Sequence, residues 1–303
     1  MIAYNITHLT TYTYTEPVSL CQNVARLTPR DTDSQKLERT RLAVLPEPVT
    51  IDRSVDAFGN SASHFSIREP HRALRIEAEH RVTLTQRRLP AASLTAPWDA
   101  ALPHGEASLL AAQFLHDSRY VRAAPDYADY ARPSFPPGRP ILEGGSDLAR
   151  RIHTDFAYDP TATTVATPTR DVFRTRRGVC QDFAHLQLSC LRSLGVPARY
   201  VSGYLATVPA PGQLRLVGAD ASHAWISVFC GGDGWIDLDP TNNQYPGERH
   251  IVLAWGRDYD DVSPVKGVIL GGGQHEVSVS VDARVVEARE SGPAPNFPNR
   301  GDV

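Results

Sequence analysis

Residues 176–186 read RRGVCQDFAHL, and this stretch sets a cysteine at the point where a loop becomes a helix. The residues that follow the cysteine form an apolar series with helical spacing: Phe183, Ala184, Leu186, Leu188, Leu191 and Leu194. The series stops at Gly195-Val196-Pro197, because glycine and proline do not continue a helix. The spacing predicts a helix of about four turns that begins near Cys180.

A cysteine in the first turn of a helix is a candidate nucleophile. Unpaired backbone N–H groups and the positive end of the helix dipole stabilise a thiolate there. A lone cysteine is nevertheless more often a small, buried and unreactive side chain. Nucleophilic catalysis by Cys180 also requires a base and a third group that fixes the tautomer of the base.

Two predicted strands downstream supply both groups. Residues 221–229 and 235–240 are rich in β-forming residues and are separated by a glycine-rich loop. The first strand carries His223, and the second carries Asp237 and Asp239. Cys180, His223 and one of these aspartates are therefore the candidate catalytic residues.

The length of the hairpin loop decides between the two aspartates. A four-residue loop, 231–234, would direct His223 and Asp239 to opposite faces of the sheet. A five-residue loop, 230–234, instead sets Asp239 opposite Trp225, on the same face as His223 and diagonal to it. Asp237 would share that face one step farther away. We therefore predict Asp239 and an odd-numbered loop.

Other interpretations of these residues are weaker. The competing histidines are His8, His64, His153, His185 and His275, of which His185 is expected to pack on the nucleophile helix. A metal hydrolase is disfavoured because His223, Asp237 and Asp239 are not joined by a further histidine at ligand spacing. We expect neither a metal nor a cofactor.

The chain divides into a β-rich front and a mixed remainder. Residues 1–88 alternate apolar and polar positions, which predicts an antiparallel β-domain of five to seven strands. Proline and alanine mark residues 89–104 as a linker. Residues 105–290 form the predicted core, and residues 291–303 have the composition of a flexible tail.

Within the predicted core, three segments have a local pattern of their own. Helical spacing is present at 106–115 and 145–156, and clean alternation predicts a strand at 276–285. Residues 123–140 contain several prolines and are interpreted as a surface loop.

Composition limits the possible partners. Apolar residues make up 41% of the chain and charged residues 21%, as in ordinary globular proteins. A net charge of −3, without a run of five basic residues, argues against nucleic acid as a partner. No stretch has 18 consecutive apolar residues, and residues 1–8 do not resemble a signal peptide, so we expect no membrane partner.

The cysteines indicate the compartment. There are four, without the spacing of a metal site or a disulfide framework, so a reducing, cytoplasmic location is expected. The sequence does not define an oligomeric state.

Four motifs in order resemble the bacterial transglutaminase-like superfamily: GVCQDFA at 178–184, GVPARYVSGY at 195–204, SHAW at 222–225 and WIDLDPTN at 235–242. The resemblance is strong over about residues 145–245. Three further segments are similar to other parts of bacterial members: YTYTEPV at 12–18, DAFGN at 56–60 and GRDYDDV at 256–262. The first two belong to the N-terminal β-domain that accompanies the bacterial core.

The resemblance implies an α+β fold, with a papain-like core that packs the nucleophile helix on an antiparallel sheet. It also implies a Cys-His-Asp triad, carried here by Cys180, His223 and Asp239. An aromatic or amide donor before the nucleophile helix binds the oxyanion in relatives, which makes Tyr158 the candidate here. The candidates for the cleft walls are Trp225, Trp235 and Gln181.

Such a triad implies attack on an amide carbonyl and a thioester intermediate. Hydrolysis of the thioester, as in a peptidase or amidase, is favoured. The alternatives are acyl transfer to an amine, as in a protein-glutamine gamma-glutamyltransferase, and a non-catalytic peptide-binding module on the same scaffold. In each case the expected partner is a peptide or protein that bears an amide.

Overall fold

The computed structural model describes residues 1–100, 106–207 and 221–288. The predicted tail 291–303 and residues 101–104 of the predicted linker lie outside the described residues. The described strands are β1 (Ile2–Ala25), β2 (Gln35–Leu45), β3 (Ile51–Val55), β4 (Ser61–Ile67), β5 (His71–Leu84), β6 (Ala157–Tyr158), β7 (Arg177–Gly178), β8 (Ala198–Leu205), β9 (Ala221–Phe229), β10 (Trp235–Leu238), β11 (His250–Gly256), β12 (Val265–Gly271) and β13 (His275–Ala288).

The described α-helices are α1 (Glu106–Ala112), α2 (Pro125–Ala131), α3 (Ile141–Asp155), α4 (Thr169–Thr175), α5 (Cys180–Ser193) and α6 (Tyr259–Val262). Short 3₁₀ helices cover Ala92–Leu94, Gln113–Leu115, Arg132–Ser134 and Gly231–Asp233. Across the described ranges, no helix is both long enough and apolar enough to cross a membrane.

The predicted N-terminal antiparallel sheet is confirmed, and it is built around the long strand β1. The strand order is β2-β5-β1-β4-β3, with β12 and β13 on the other side of β1. The first half of β1 pairs with β5 and β13, and its second half pairs with β4 and β12. Alternate residues of β1, such as Tyr4, Ile6 and His8, face the interior and are buried.

The last two strands join the N-terminal sheet across the predicted boundary at residue 88. Strands β12 and β13 fall within the predicted core 105–290, yet both pair with β1 in the N-terminal sheet. Buried Val281 and Ala283 of β13 join the same apolar core as Ile6. Alternation predicts that a segment is a strand but does not identify its partner, so the local pattern could not show that β13 joins the N-terminal sheet.

The second sheet is antiparallel, with the order β10-β9-β8-β11, and α5 packs on β8 and β9. The predicted helix that begins near Cys180 is confirmed: α5 begins at Cys180, and Gly195 follows its end with φ = 75°. Leu186, Leu188 and Leu191 are fully buried. This apolar face fixes the N-terminus of α5 beside the sheet.

The predicted loop at 123–140 contains a helix instead. Pro125 occupies the first turn of α2, where a missing N–H costs nothing because that group has no intrahelical partner. Tyr127 and Ala131 are buried, and α2 packs against α5. Helix α3 begins at residue 141 rather than at 145.

Gly203 lets the second sheet close beneath the candidate site. It lies opposite His223 in the β8–β9 pair, and a Cβ at this position would overlap the Ile251 carbonyl oxygen and the Trp225 indole. We expect Gly203→Ala to lower the free energy of unfolding by about 2 kcal/mol, since overpacking typically costs about 1–3 kcal/mol. Urea denaturation measures this change.

Gly232→Ala is the matched control, because a methyl group there meets no described atom within 4 Å. It should change stability by less than about 0.5 kcal/mol. Equal stability of Gly203→Ala and the parent protein would contradict the close packing of Trp225 on β8.

Candidate active site

Cys180 is held at the start of α5 by contacts of the first helical turn. The Val179 N–H donates to Asp182 Oδ2 at 2.9 Å, and the Thr163 hydroxyl donates to the same oxygen at 2.6 Å. Gly178 is required by close approach, because a Cβ there would clash with Asp182. The Cys180 N–H is one of the first N–H groups of the helix, which have no intrahelical acceptor.

Exposure separates Cys180 from the other cysteines. All four cysteines are free thiols; Cys180 is partly exposed, whereas Cys21, Cys190 and Cys230 are fully buried. Burial raises the pKa of the Cys21 and Cys190 thiols, and it raises that of Cys230 to about 12. Of the four, Cys180 is the thiol that a substrate can reach.

The hairpin that carries the other two candidates has the predicted odd-numbered loop. Phe229 pairs with Trp235, so residues 230–234 form the loop, with Gly234 at φ = 72°. This register brings His223 Nε2 to 2.8 Å from Asp239 Oδ2, and both side chains are buried.

The Asp239 carboxylate accepts five hydrogen bonds. Oδ1 accepts from the backbone N–H groups of Thr241 and Asn242 at 2.9 and 3.1 Å. Oδ2 accepts from His223 Nε2, from Asn242 Nδ2 at 2.7 Å and from His250 Nε2 at 3.1 Å. Burial alone would raise the pKa of Asp239, but the hydrogen bonds from the two histidines outweigh it and hold this pKa well below its usual range.

His223 connects this carboxylate to the cysteine. Burial acts to lower the pKa of His223, but hydrogen bonds with Asp239 and with the Cys180 side chain raise it well above the ordinary value. Because Nε2 meets Asp239, Nδ1 is the ring nitrogen left for the thiol. The structure therefore brings Cys180, His223 and Asp239 together in one hydrogen-bonded chain.

His250 was not predicted from the sequence. It is the first residue of β11 and is buried, and its Nδ1 accepts a 3.4 Å hydrogen bond from the Gly247 N–H. Burial is the main cause that lowers the pKa of His250. The lowered pKa favours the neutral ring, and because Nδ1 accepts from Gly247 the ring proton is on Nε2, facing Asp239. A continuous apolar run follows it at 251–255, which is typical of a buried strand and was the available signal.

A metal hydrolase was disfavoured because no further histidine was expected near His223 and Asp239. The structure does place one there, His250. The potential ligand atoms of these three residues lie within 4.8 Å of one another. The Nε2 atoms of both histidines, however, direct protons at Asp239 Oδ2, and the Asn242 amide donates to the same oxygen. The donors and acceptors are matched without a cation, so these residues fit a hydrogen-bond network better than a metal centre.

Two predicted residues border Cys180. Tyr158 pairs with Gly178 across β6 and β7 and is 59% exposed. Partial desolvation of its hydroxyl, followed by the proximity of Cys180, raises the pKa of that hydroxyl. Gln181 Nε2 donates to the Val165 carbonyl oxygen at 3.4 Å, which ties the loop before α4 to the first turn of α5.

The two predicted wall tryptophans do not line a cleft. Trp225 is fully buried beneath the site, where its indole packs edge-on against His250 at 5.3 Å and donates to Asp237 Oδ2 at 3.0 Å. Trp235 lies at the opposite end of the hairpin, about 20 Å along the strand from His223. There it packs against Phe114, Phe229 and Arg199.

The competing histidines have partners elsewhere in the structure. His185 accepts a hydrogen bond from the Tyr259 N–H at 3.2 Å and stacks on Tyr120, so it packs as predicted. Each of the others has partners other than Cys180, His223 and Asp239: His8 (Thr10 and Tyr204), His64 (Ser54), His153 (the Thr241 carbonyl oxygen) and His275 (Tyr12 and Tyr14).

The sheet, the packed helix and the cysteine at its N-terminus define a protein of the transglutaminase-like class. The family model of the transglutaminase-like superfamily matches residues 130–240, and that of the bacterial transglutaminase-like N-terminal region matches residues 4–83. The chain belongs to the transglutaminase-like superfamily, in the bacterial form that carries this N-terminal region.

Similar proteins include an uncharacterised protein of Mycobacterium tuberculosis H37Rv, 42% identical over 289 residues, which cover 92% of this chain and 91% of the relative. A protein-glutamine gamma-glutamyltransferase of Pseudomonas aeruginosa is 36% identical over 102 residues, or 33% of this chain and 15% of that protein. A solved structure from Cytophaga hutchinsonii, assigned as a cysteine protease, superposes with a TM-score of 0.75 at 21% identity, covering 99% of this chain and 95% of that one. This last similarity supports the fold.

Proposed function

We propose that this protein is a thiol enzyme that attacks an amide carbonyl through Cys180 and hydrolyses the resulting thioester. The observation that carries the proposal is the hydrogen-bonded chain from a partly exposed cysteine, through His223, to the buried carboxylate of Asp239. Peptide binding alone would not require a buried carboxylate that accepts five hydrogen bonds and is linked through a histidine to a thiol. This arrangement argues against a non-catalytic module.

The first half of the reaction forms the thioester. The Cys180 thiolate attacks the carbonyl carbon, and the backbone N–H of Cys180 donates to the developing oxyanion, with the Tyr158 hydroxyl as the candidate second donor. His223 then gives the Nδ1 proton to the leaving amine as the C–N bond breaks. Asp239 orients the imidazolium through Nε2.

In the second half, His223 acts as a base. It takes a proton from water as the water oxygen attacks the thioester carbon, and the Cys180 thiolate leaves. A substrate amine in place of water would give acyl transfer. The similarity to a protein-glutamine gamma-glutamyltransferase over one third of the chain supports that alternative.

The substrate class is a peptide or protein with an accessible amide. The four free cysteines, three of them buried, support a reducing compartment, so we place this chemistry in the cytoplasm.

The test is mass spectrometry of a peptide library that contains glutamine and asparagine, incubated with and without a primary amine. Backbone cleavage, deamidation and amine incorporation give three different mass changes. We expect hydrolytic products to predominate and to fall at least about 10³-fold in Cys180→Ala.

Cys190→Ala, which removes a buried thiol from the same helix, is the matched control and should retain the products. Equal product formation by Cys180→Ala and the parent protein would overturn the mechanism. Predominant amine incorporation would replace hydrolysis with acyl transfer.

A further inference from the structure

One oxygen of Asp239 is shared between two imidazoles. Oδ2 lies 2.8 Å from His223 Nε2 and 3.1 Å from His250 Nε2, and the two ring centroids are 5.9 Å apart. The first of these bonds belongs to the proposed triad, and the second lies outside it.

His250 is itself held in a fixed orientation. The Gly247 N–H donates to its Nδ1, and the edge of one ring meets the face of the other where His250 packs against Trp225. With Nδ1 serving as an acceptor, the ring proton is on Nε2 and is directed at Asp239. The orientation therefore supports a donor to the carboxylate and not a second general base.

The bond also links distant parts of the sheet. Asp239 follows β10 and His250 begins β11, and these strands form the two opposite edges of the β10-β9-β8-β11 sheet. Asp239 lies just beyond the last residue of β10 and outside the β9–β10 ladder, and its backbone is paired with Gln244 instead. A donor from β11 supplies an independent anchor for the carboxylate.

We propose that His250 is a positioning residue for the reaction: its Nε2–H anchors Asp239 and takes a share of the Oδ2 charge that would otherwise act on His223 alone. This inference rests on the proposed function of Cys180 and His223. Because Oδ2 also interacts with His250, it still orients the His223 imidazolium but holds its proton less tightly. The proton can therefore pass to the leaving amine.

The ionisable groups that act on the Asp239, His223 and His250 side chains are, besides these three, Cys180 at the start of α5 and Arg249 just before β11. Tyr158 and Tyr200 in turn lie near Cys180. Asp237 is engaged by the Trp225 indole. If the His250 donor is removed, Oδ2 acts on His223 alone, so the imidazolium holds its proton to a higher pH and releases it more slowly.

The experiment compares His250→Gln with His250→Asn. The Gln amide nitrogen reaches the position of imidazole Nε2 and can donate to Asp239, whereas the shorter Asn cannot. Both introduce a neutral amide, so the pair separates the donor from general disruption of the core. Circular dichroism and thermal melting establish that each variant is folded.

The readouts are the pH profile of Cys180 alkylation by iodoacetamide, followed by peptide mapping, and turnover of a cleaved library peptide. For His250→Asn we expect the alkaline limb of the profile to move up by about one pH unit and kcat to fall about 10-fold or more, with KM little changed. His250→Gln should stay within about threefold of the parent protein in both.

Superimposable profiles and equal kcat for His250→Asn and the parent protein would overturn the role of His250. The same shift in His250→Gln as in His250→Asn would also overturn it, because the donor would not be the cause. If the parent protein labels Cys180 no faster than Cys230 at pH 6, the proposed function fails instead, and the two failures are thus distinguished.

Discussion

Asp239→Asn is expected to lower turnover by about 10³-fold or more while leaving the chain folded. Five donors converge on this carboxylate, and an amide offers one acceptor oxygen and a donor NH₂ group in its place. At least one buried donor then loses its partner, which costs about 1–3 kcal/mol of stability. The larger loss is catalytic, since a neutral amide no longer stabilises the His223 imidazolium or fixes its tautomer.

Asp237→Asn is the matched control. Asp237 points to the same face of β10, opposite Ser227, and accepts from the Trp225 indole N–H, a bond that an amide oxygen preserves. We expect its turnover to stay within about threefold of the parent protein. Steady-state kinetics on a cleaved library peptide, with thermal melting alongside, measures both variants. A loss confined to Asp237→Asn would mean that the wrong aspartate had been assigned.

The choice between these aspartates illustrates what local sequence can predict. Strand alternation and the loop length together determine which side chains share a face, and the resulting register is the one in the structure, with Phe229 opposite Trp235. The start of α5 at Cys180 was similarly local, because helical apolar spacing and the Gly195-Val196-Pro197 stop both lie within one segment.

The features that sequence did not predict depend on contacts between distant segments. His250 meets Asp239 only because the chain crosses the sheet from β10 to β11, and no spacing rule links the two residues. Strand β13 was predicted as a strand within residues 105–290, but its partner β1 is at the other end of the chain and could not be identified from the local pattern. In each case the local sequence pattern indicates a strand, but it does not indicate which distant segment that strand contacts.

The prediction that Trp225 and Trp235 form cleft walls differs from the structure for a related reason. Large aromatic side chains near a predicted site are equally suited to line a cleft and to fill a core, and their neighbours decide between the two. Trp225 is buried because Gly203, which lies on a different strand, leaves room for its indole. Trp235 is occupied by Phe114 and Arg199, which come from segments outside the hairpin.

His223→Gln is expected to reduce alkylation of Cys180 at pH 6 by about two orders of magnitude. An ordinary thiol with a pKa of about 8.5 is well under 1% ionised at that pH. In the proposed mechanism His223 accepts the proton of Cys180 and its positive charge stabilises the thiolate, whereas glutamine can do neither. The measurement is the iodoacetamide rate constant at Cys180, with buried Cys230 as an internal reference.

His185→Gln provides the control, since His185 is a buried histidine of the same core whose acceptor role towards the Tyr259 N–H an amide oxygen can take. Its Cys180 labelling should match the parent rate. Equal labelling of His223→Gln and the parent protein would show that His223 does not activate the thiol.

His223→Gln also tests how the stability of the protein depends on pH. The pKa of His223 is raised in the folded state, so its stabilising contribution is complete below the unfolded value of about 6.5 and is lost as the pH rises through the folded value. The difference in unfolding free energy between the parent protein and His223→Gln should therefore shrink from pH 6 to pH 9. Asp239 affects stability in a different pH range. Its pKa is lowered in the folded state, so its stabilising contribution is present above about pH 4 and is lost as the pH falls below that value. Parallel stability curves for the two proteins between pH 6 and pH 9 would refute a raised His223 pKa, and with it the imidazolium that the proposed proton transfer requires.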